Sequence, residues 1–281
     1  MRIPFKTMKD APKDDAGRFI DVFRLAALQA GWVTRRLQGE VRFKAKKGEK
    51  SPERAALTSV DLAAQDIILL LLHEAFPDVN MDAEEETDTL GLFPGIDPQR
   101  PTIVVDPVDG TLNYSEGSQD YAVMGGWIEA GVFRSALVHF PHLGETCWAW
   151  QGHGRRLEKS GNTPEKASIG RLPARVLVTS GVSEKRCEAL RSIGLEVIRT
   201  RCSAVDTTAP ITGRAAAALS YGRPDRRRAI GCFLTLEAGG VLWTDDRWWS
   251  GEDPLTMPKY KGSTILADSK DTVERILRAV S

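Results

Sequence analysis

Two aspartates, Asp106 and Asp109, stand at the end of the apolar, β-branched run Thr102-Ile103-Val104-Val105. The run reads as a buried strand. Pro107 removes a backbone donor between the two acids, and Gly110 permits a sharp reversal after them. Acids crowded at a buried strand end repel each other. A hard divalent cation with oxygen ligands is the natural compensation. Gly110 and Thr111 then offer backbone N–H groups where a turn or helix starts, which suits a phosphate. The plainer reading of the same residues is an Asp-Pro turn with both acids in water. A second acidic run, Asp82 to Asp88, follows a short candidate strand at 79–81. Parallel or adjacent strand ends would bring Glu84 beside Asp106 and Asp109.

The elements that must position these acids follow from periodicity and breakers. Helical spacing runs from Asp15 to Leu37, with Asp14 or Asp15 as cap. Thr58-Ser59-Val60-Asp61 caps a second helix that ends near Phe76. The basic run 42–54, broken by Gly48 and Pro52, reads as a loop or hairpin. It is either a solvated face or a flap over an anionic ligand. Strands at 121–128, 132–140 and 145–150 form an antiparallel meander closed by Gly152-His153-Gly154. His139, His142 and His153 lack helical ligand spacing and read as surface or packing residues. The polar segment 158–171 marks a division, giving units at 1–157 and 158–281. In the second, strands are predicted at 175–179, 196–199, 241–243 and 264–267. Helices are predicted at 183–193, 207–219, 228–236 and 271–280. The pattern is α/β.

Composition narrows the function classes. The 281 residues carry 38 basic and 38 acidic side chains, so no net field points to nucleic acid or a membrane surface. The four cysteines form no CxxC pair, which argues against structural zinc and for buried thiols in a reducing compartment. Met1 to Asp15 has no signal-like apolar core, and the run Ile67 to Leu72 is too short to span a bilayer. A soluble cytoplasmic protein is expected.

DPVDGTLNY, preceded by DAEEE and followed far downstream by LTLEAGGVL, resembles the inositol monophosphatase-like family of magnesium-dependent, lithium-sensitive phosphatases. The resemblance implies a layered α/β/α/β/α sandwich, an α+β half followed by an α/β half, with the site between them. It implies that Glu84, Asp106 and the Val108 carbonyl bind a first Mg²⁺, or Mn²⁺ in its place. Asp106 would bridge to a second ion held by Asp109, and Glu85 is the second acid of the family's paired glutamates. Gly110 and Thr111 would give N–H groups to the phosphate, while Thr111 and Asp61 orient the attacking water. A small phosphomonoester would be the substrate: an inositol phosphate, a sugar phosphate or a 3′-phosphonucleotide. The ions acidify the water and neutralise charge at phosphorus. A homodimer is implied as well.

One position departs from the family. Its Trp-Asp pair, whose Asp ligates the second ion, falls on Arg226-Arg227 when counted back from Glu237. A guanidinium cannot ligate a cation. Four explanations stay open: Asp225 swings in, Arg227 clamps the phosphate as a substitute cation, the second ion is lost, or the arginines form a surface patch. The third makes the chain a weak phosphatase, or a non-catalytic binder of a phosphorylated ligand or protein. Selectivity is expected around Asp206 to Thr208 and Tyr221 to Arg228. The Trp243 to Trp249 stretch is expected to be core or a loop anchor.

Overall fold

The computed structural model describes residues 11–40, 43–45, 56–159, 162–166, 169–170, 172–222, 226–244, 247–250, 255 and 262–280. Helix α1 (Asp15–Leu37) is capped by Asp14, whose side chain accepts from the Gly17 amide. Strands β1 (Phe43–Ala45) and β2 (Ala56–Thr58) pair antiparallel, and residues 42 and 46–54 of the basic run lie outside the described residues. Helix α2 (Ser59–Ala75) leads to β3 (Asn80–Asp82) and then β4 (Thr102–Asp109). A single helical turn, α3 (Thr111–Ser115), starts at Gly110. The meander follows as β5 (Ala122–Glu129), β6 (Val132–Phe140) and β7 (Glu145–Trp150).

The meander does not close at Gly152–Gly154. It continues through β8 (Arg155–Lys159) and β9 (Glu165–Lys166), making a seven-stranded sheet in the order β3-β4-β5-β6-β7-β8-β9. The expected division after residue 157 falls inside β8. The signal was masked because both strands are largely polar and β9 is the two-residue edge of the sheet. The Gly152–Gly154 turn is held from the other half of the chain. Glu237 accepts from the amides of Gly152 at 2.9 Å and Gly154 at 3.0 Å. The EAGG segment thus has a structural explanation: Gly239 adopts φ +91°, and a Cβ on Gly240 would lie 2.6 Å from the Thr235 methyl.

The second half contains β10 (Arg175–Val178), α4 (Glu184–Ser192), β11 (Glu196–Arg199), α5 (Ser203–Thr207) and α6 (Ala209–Thr212). Next come β12 (Ala217–Gly222), α7 (Arg226–Glu237), β13 (Val241–Thr244), β14 (Arg247–Trp249), β15 (Gly262–Ala267) and α8 (Lys270–Val280). These strands form a six-stranded sheet in the order β11-β10-β12-β15-β13-β14. The helix predicted at 207–219 is corrected here. Gly213 at φ +75° stops α6, and the alanine-rich residues that follow become β12, an interior strand between β10 and β15. Burial between two partner strands overrides alanine's helical propensity. The tryptophan-rich stretch is a hairpin, with Trp249 buried and its indole N–H donating to Thr244.

Three apolar clusters separate five layers, α/β/α/β/α. One joins α1 and α2 to the outer face of the first sheet. The second packs α5, α6 and α7 between the two sheets. The third sets α4 and α8 on the far face of the second sheet. Helix α1 lies close enough that a Cβ on Gly125 would stand 2.4 Å from the Phe23 ring. Helix α7 presses on α5 at Gly231, where a Cβ would fall 1.9 Å from Thr207 Oγ1. All four cysteines are free and buried. Among the described residues, no helix is long and apolar enough to cross a membrane.

His139 is a packing residue, buried against α1 with its Nδ1 2.9 Å from Thr146 Oγ1. Burial lowers its pKa from 6.5 to about 4. The folded chain then binds fewer protons than the unfolded chain between those values. Stability from this group is present above about 6.5 and is lost as pH falls through about 4. The contribution is on the order of 3 kcal/mol. Urea melts across this window should show a shallower rise of stability with pH for His139→Gln than for the wild type. Equal slopes would contradict the assignment.

Candidate active site

Strands β3 and β4 run parallel, with Asp82 opposite Val104. The chain leaving β3 therefore carries Glu84 to the same end of the sheet as Asp106. A hydrogen bond pair between Gln65 of α2 and the Glu85 backbone fixes this exit: the Glu85 amide donates at 2.8 Å and its carbonyl accepts at 2.5 Å. The Glu85 side chain itself is buried and does not line the cavity described below. In a regular strand, side chains three apart point to opposite faces. Here the pairing of β4 with β5 slips between Asp106 and Asp109, at Pro107-Val108. That bulge turns both carboxylates toward one cavity.

The cavity, about 270 Å³, is lined by Glu84, Asp106, Asp109, Thr111, Asp206 and Arg227 among others. Burial raises the Asp106 pKa well above the usual carboxylate range, and Glu84 and Asp109 push it further. The Glu84 and Asp106 carboxyls also share a hydrogen bond. The plain Asp-Pro turn with solvated acids is thereby set aside, since Asp106 is only 4% exposed.

Thr111 Oγ1 donates to Asp61 Oδ1 at 2.9 Å and lies 2.9 Å from the Val108 carbonyl. Asp61, in the first turn of α2, is almost wholly buried. The expected Thr111–Asp61 pair is thus in direct contact, although the two residues lie on different elements. Gly110 sits at φ +90°, and a Cβ there would meet the Asp120 carbonyl at 3.0 Å and Cys202 at 3.1 Å. Any side chain at 110 would be strained on both counts.

Asp109 faces the second half of the chain. Its Oδ2 accepts from the Ala204 amide at 2.6 Å and from Cys202 Sγ at 2.9 Å, and its Oδ1 accepts from Ser203 Oγ at 2.9 Å. Burial raises its pKa, while those three donors pull it down. Residues 202–204 carried no site reading in the sequence, Cys202 being expected only as a buried thiol. Their signal was the Ser203 hydroxyl before a helical turn, obscured because the helix was expected to begin at Thr207.

Helix α7 opens with Arg226, Arg227 and Arg228 and has no acid in its first turn. Cations at a helix N-terminus oppose the macrodipole, so the acids must come from elsewhere. Asp82 meets Arg226 at 2.8 Å and Arg227 at 3.8 Å, and Asp206 stands 4.0 Å from Arg228. The Arg227 Nε lies 3.5 Å from the Val105 carbonyl, and its charge lowers the Asp106 pKa against the burial that raises it. The arginines are therefore not a simple surface patch: Arg227 and Arg228 line the cavity. Asp225 lies outside the described residues. Asp206, pushed up to about 6 by burial, accepts from Thr200 Oγ1 at 2.5 Å. Arg201, at φ +56°, lines the opposite wall and pairs with Glu116. The sequence held no local sign of the Asp82 or Arg201 contacts.

The donor set fits a hard divalent ion at one place. Glu84 and Asp106 crowd two carboxyls together beside the Val108 carbonyl, with oxygen donors and no soft ligand in that set. His139, His142 and His153 do not line the cavity.

The chain is similar to a Thermotoga maritima protein named fructose-1,6-bisphosphatase/inositol-1-monophosphatase, 27% identical over 202 residues, 69% of this chain and 73% of that one. It is 26% identical over 273 residues to a Neisseria meningitidis protein named putative Nus factor SuhB, covering 94% of this chain and 98% of that one. Among solved structures, the Bartonella henselae extragenic suppressor protein suhB superposes with a TM-score of 0.75 at 20% identity, covering 94% and 98% of the two chains. An IMPase/NADP phosphatase described as complexed with Mg²⁺ and phosphate superposes with a TM-score of 0.67 at 18% identity, covering 89% and 91%. A model of the inositol monophosphatase family matches residues 18–281. In keeping with its layered fold and its strand-end acids, the chain belongs to the inositol monophosphatase family.

Proposed function

We propose that this protein is a Mg²⁺-dependent phosphatase that hydrolyses a small phosphomonoester in the cavity at the β3 and β4 strand ends. The observation that carries this reading is the close approach of the half-buried Glu84 carboxyl to the buried Asp106 carboxyl, beside a hydroxyl–carboxylate pair, Thr111–Asp61. Glu84, Asp106 and the Val108 carbonyl would hold the ion. When bound, a divalent cation lowers the pKa of water and neutralises charge on phosphoryl oxygens.

The chain's own residues supply the rest. Asp61 fixes the Thr111 hydroxyl, which orients the attacking water and can receive its proton's hydrogen bond. Gly110 and Thr111 amides line the cavity where the phosphoryl group would sit, and Arg227 presents a fixed guanidinium from the facing wall. Arg201, Asp206 and Arg228 also line the cavity and would set which alcohol is accepted. The substrate class stays at the level of an inositol phosphate, sugar phosphate or 3′-phosphonucleotide.

A second reading rests on the relatives named as Nus factors, which match nearly the full chain. It is compatible with hydrolysis, and the assay below bears on hydrolysis alone.

Purified protein should release phosphate from a panel of such esters with Mg²⁺ and not with EDTA. Asp106→Asn should reduce the rate at least 100-fold. Release that ignores both chelation and Asp106→Asn would overturn the proposal. Separately, Thr111→Val deletes a donor to a nearly buried carboxylate, a loss of about 1–3 kcal/mol of stability. It should cut kcat with little change in KM, whereas Thr111→Ser should keep most of both. Unimpaired turnover in Thr111→Val would remove the hydroxyl from the mechanism.

A further inference from the structure

We infer that this centre is built for a single divalent ion, with the Arg227 guanidinium as its permanent second positive charge. The inference rests on the proposed role of Glu84 and Asp106 as the cation site, and it concerns how many ions that site takes.

Two observations disfavour a second ion. The first is the guanidinium itself. Arg227 stands in the opening turn of α7 with its Nε 3.5 Å from the Val105 carbonyl, one residue before Asp106. Its terminal nitrogen is 3.8 Å from Asp82, and its side chain is 21% exposed. It is thus a wall of the cavity rather than a solvated side chain. Neighbouring arginines fix its place: Arg226 grips the other Asp82 oxygen at 2.8 Å, and Arg228 lies 4.0 Å from Asp206. A dication placed beside this fixed charge would be repelled, whereas a phosphoryl oxygen would be attracted.

The second observation is the state of Asp109, the carboxylate a second ion would need. Both of its oxygens are taken by donors of residues 202–204. Turning it toward a cation would strip the Ala204 amide and the Ser203 hydroxyl of their acceptor. Asp109 is therefore an anchor that joins the first sheet to α5, and ligating a second ion would compete with those donors. The expectation that Asp106 and Asp109 share a second ion gives way to one ion and one guanidinium.

The arrangement assigns Arg227 a role in the reaction as well. A guanidinium offers a planar fork of N–H donors, so it can bind two phosphoryl oxygens at once. Unlike an ion, it is present at every Mg²⁺ concentration.

The test is the stoichiometry of Mn²⁺ bound to the full chain in the presence of inorganic phosphate, by calorimetry and by electron paramagnetic resonance. Wild type should bind one Mn²⁺ per chain with the spectrum of an isolated ion. Arg227→Asp should bind two, with an exchange-coupled spectrum. Arg227→Met should keep one Mn²⁺ but bind phosphate at least tenfold more weakly. Two ions in the wild type would overturn the inference and leave the phosphatase reading standing. No ion in the wild type would overturn both. One ion in a folded Arg227→Asp would show that the guanidinium is not what excludes the second. If Arg227→Asp fails to fold, the wild-type count and the Arg227→Met phosphate affinity still decide.

Discussion

Negative charge confined to the end of a buried parallel strand pair is the constraint around which this molecule is arranged. Asp106 cannot reach solvent, and the parallel register of β3 with β4 brings Glu84 against it. Burial raises the Asp106 pKa well above the usual carboxylate range, and a nearby positive charge lowers it. The surrounding structure answers in several ways. Asp109 is drawn to the amide and hydroxyl donors at the start of α5, and three arginines open α7 toward the same region. Each of these devices comes from an element far away in sequence, so the cavity exists only in the assembled fold.

The layering explains how distant elements are held to that accuracy. Helix α7 lies in the middle layer, in contact with both sheets through one continuous apolar cluster. Its distance from α5 is set by the glycine at 231 resting on Thr207, and Thr235 Oγ1 donates to the Thr207 carbonyl at 2.7 Å. One end of α7 thereby presents Arg227 to the acids, and the other end presents Glu237 to the Gly152–Gly154 turn. Both ends of the helix are thus tied to the first sheet. Asn113 adds a third tie, donating to the Asp120 and Thr200 carbonyls.

Much of this was legible in the sequence where the controlling interaction is local. The β-branched run before Asp106 and the Pro107 and Gly110 breakers mark a strand that ends in acids, though the same residues alone also read as a solvated Asp-Pro turn. The Thr111–Asp61 pair and the five-layer architecture came through the family resemblance, and both stand in the structure. What was hidden is governed by partners distant in the chain. The segment Ala217–Gly222 looks helical by composition and is a strand because two neighbours bury it. The strands β8 and β9 are polar, and their identity comes from pairing, β8 with β7 and β9 with β8, rather than from alternation. Asp109 reads locally as a ligand, yet Ser203, a residue 94 positions away, supplies one of its donors. The arginines at 226–228 read as a defect until Asp82 and Asp206 are placed against them.

The account stands or falls on whether the Glu84–Asp106 contact exists to hold a doubly charged ion. Anomalous diffraction at the manganese edge, on crystals grown with millimolar Mn²⁺, examines that contact directly. The account predicts a peak within coordination distance of a Glu84 oxygen, an Asp106 oxygen and the Val108 carbonyl. A map with no peak there, and with the two carboxyls still sharing their hydrogen bond, would contradict it.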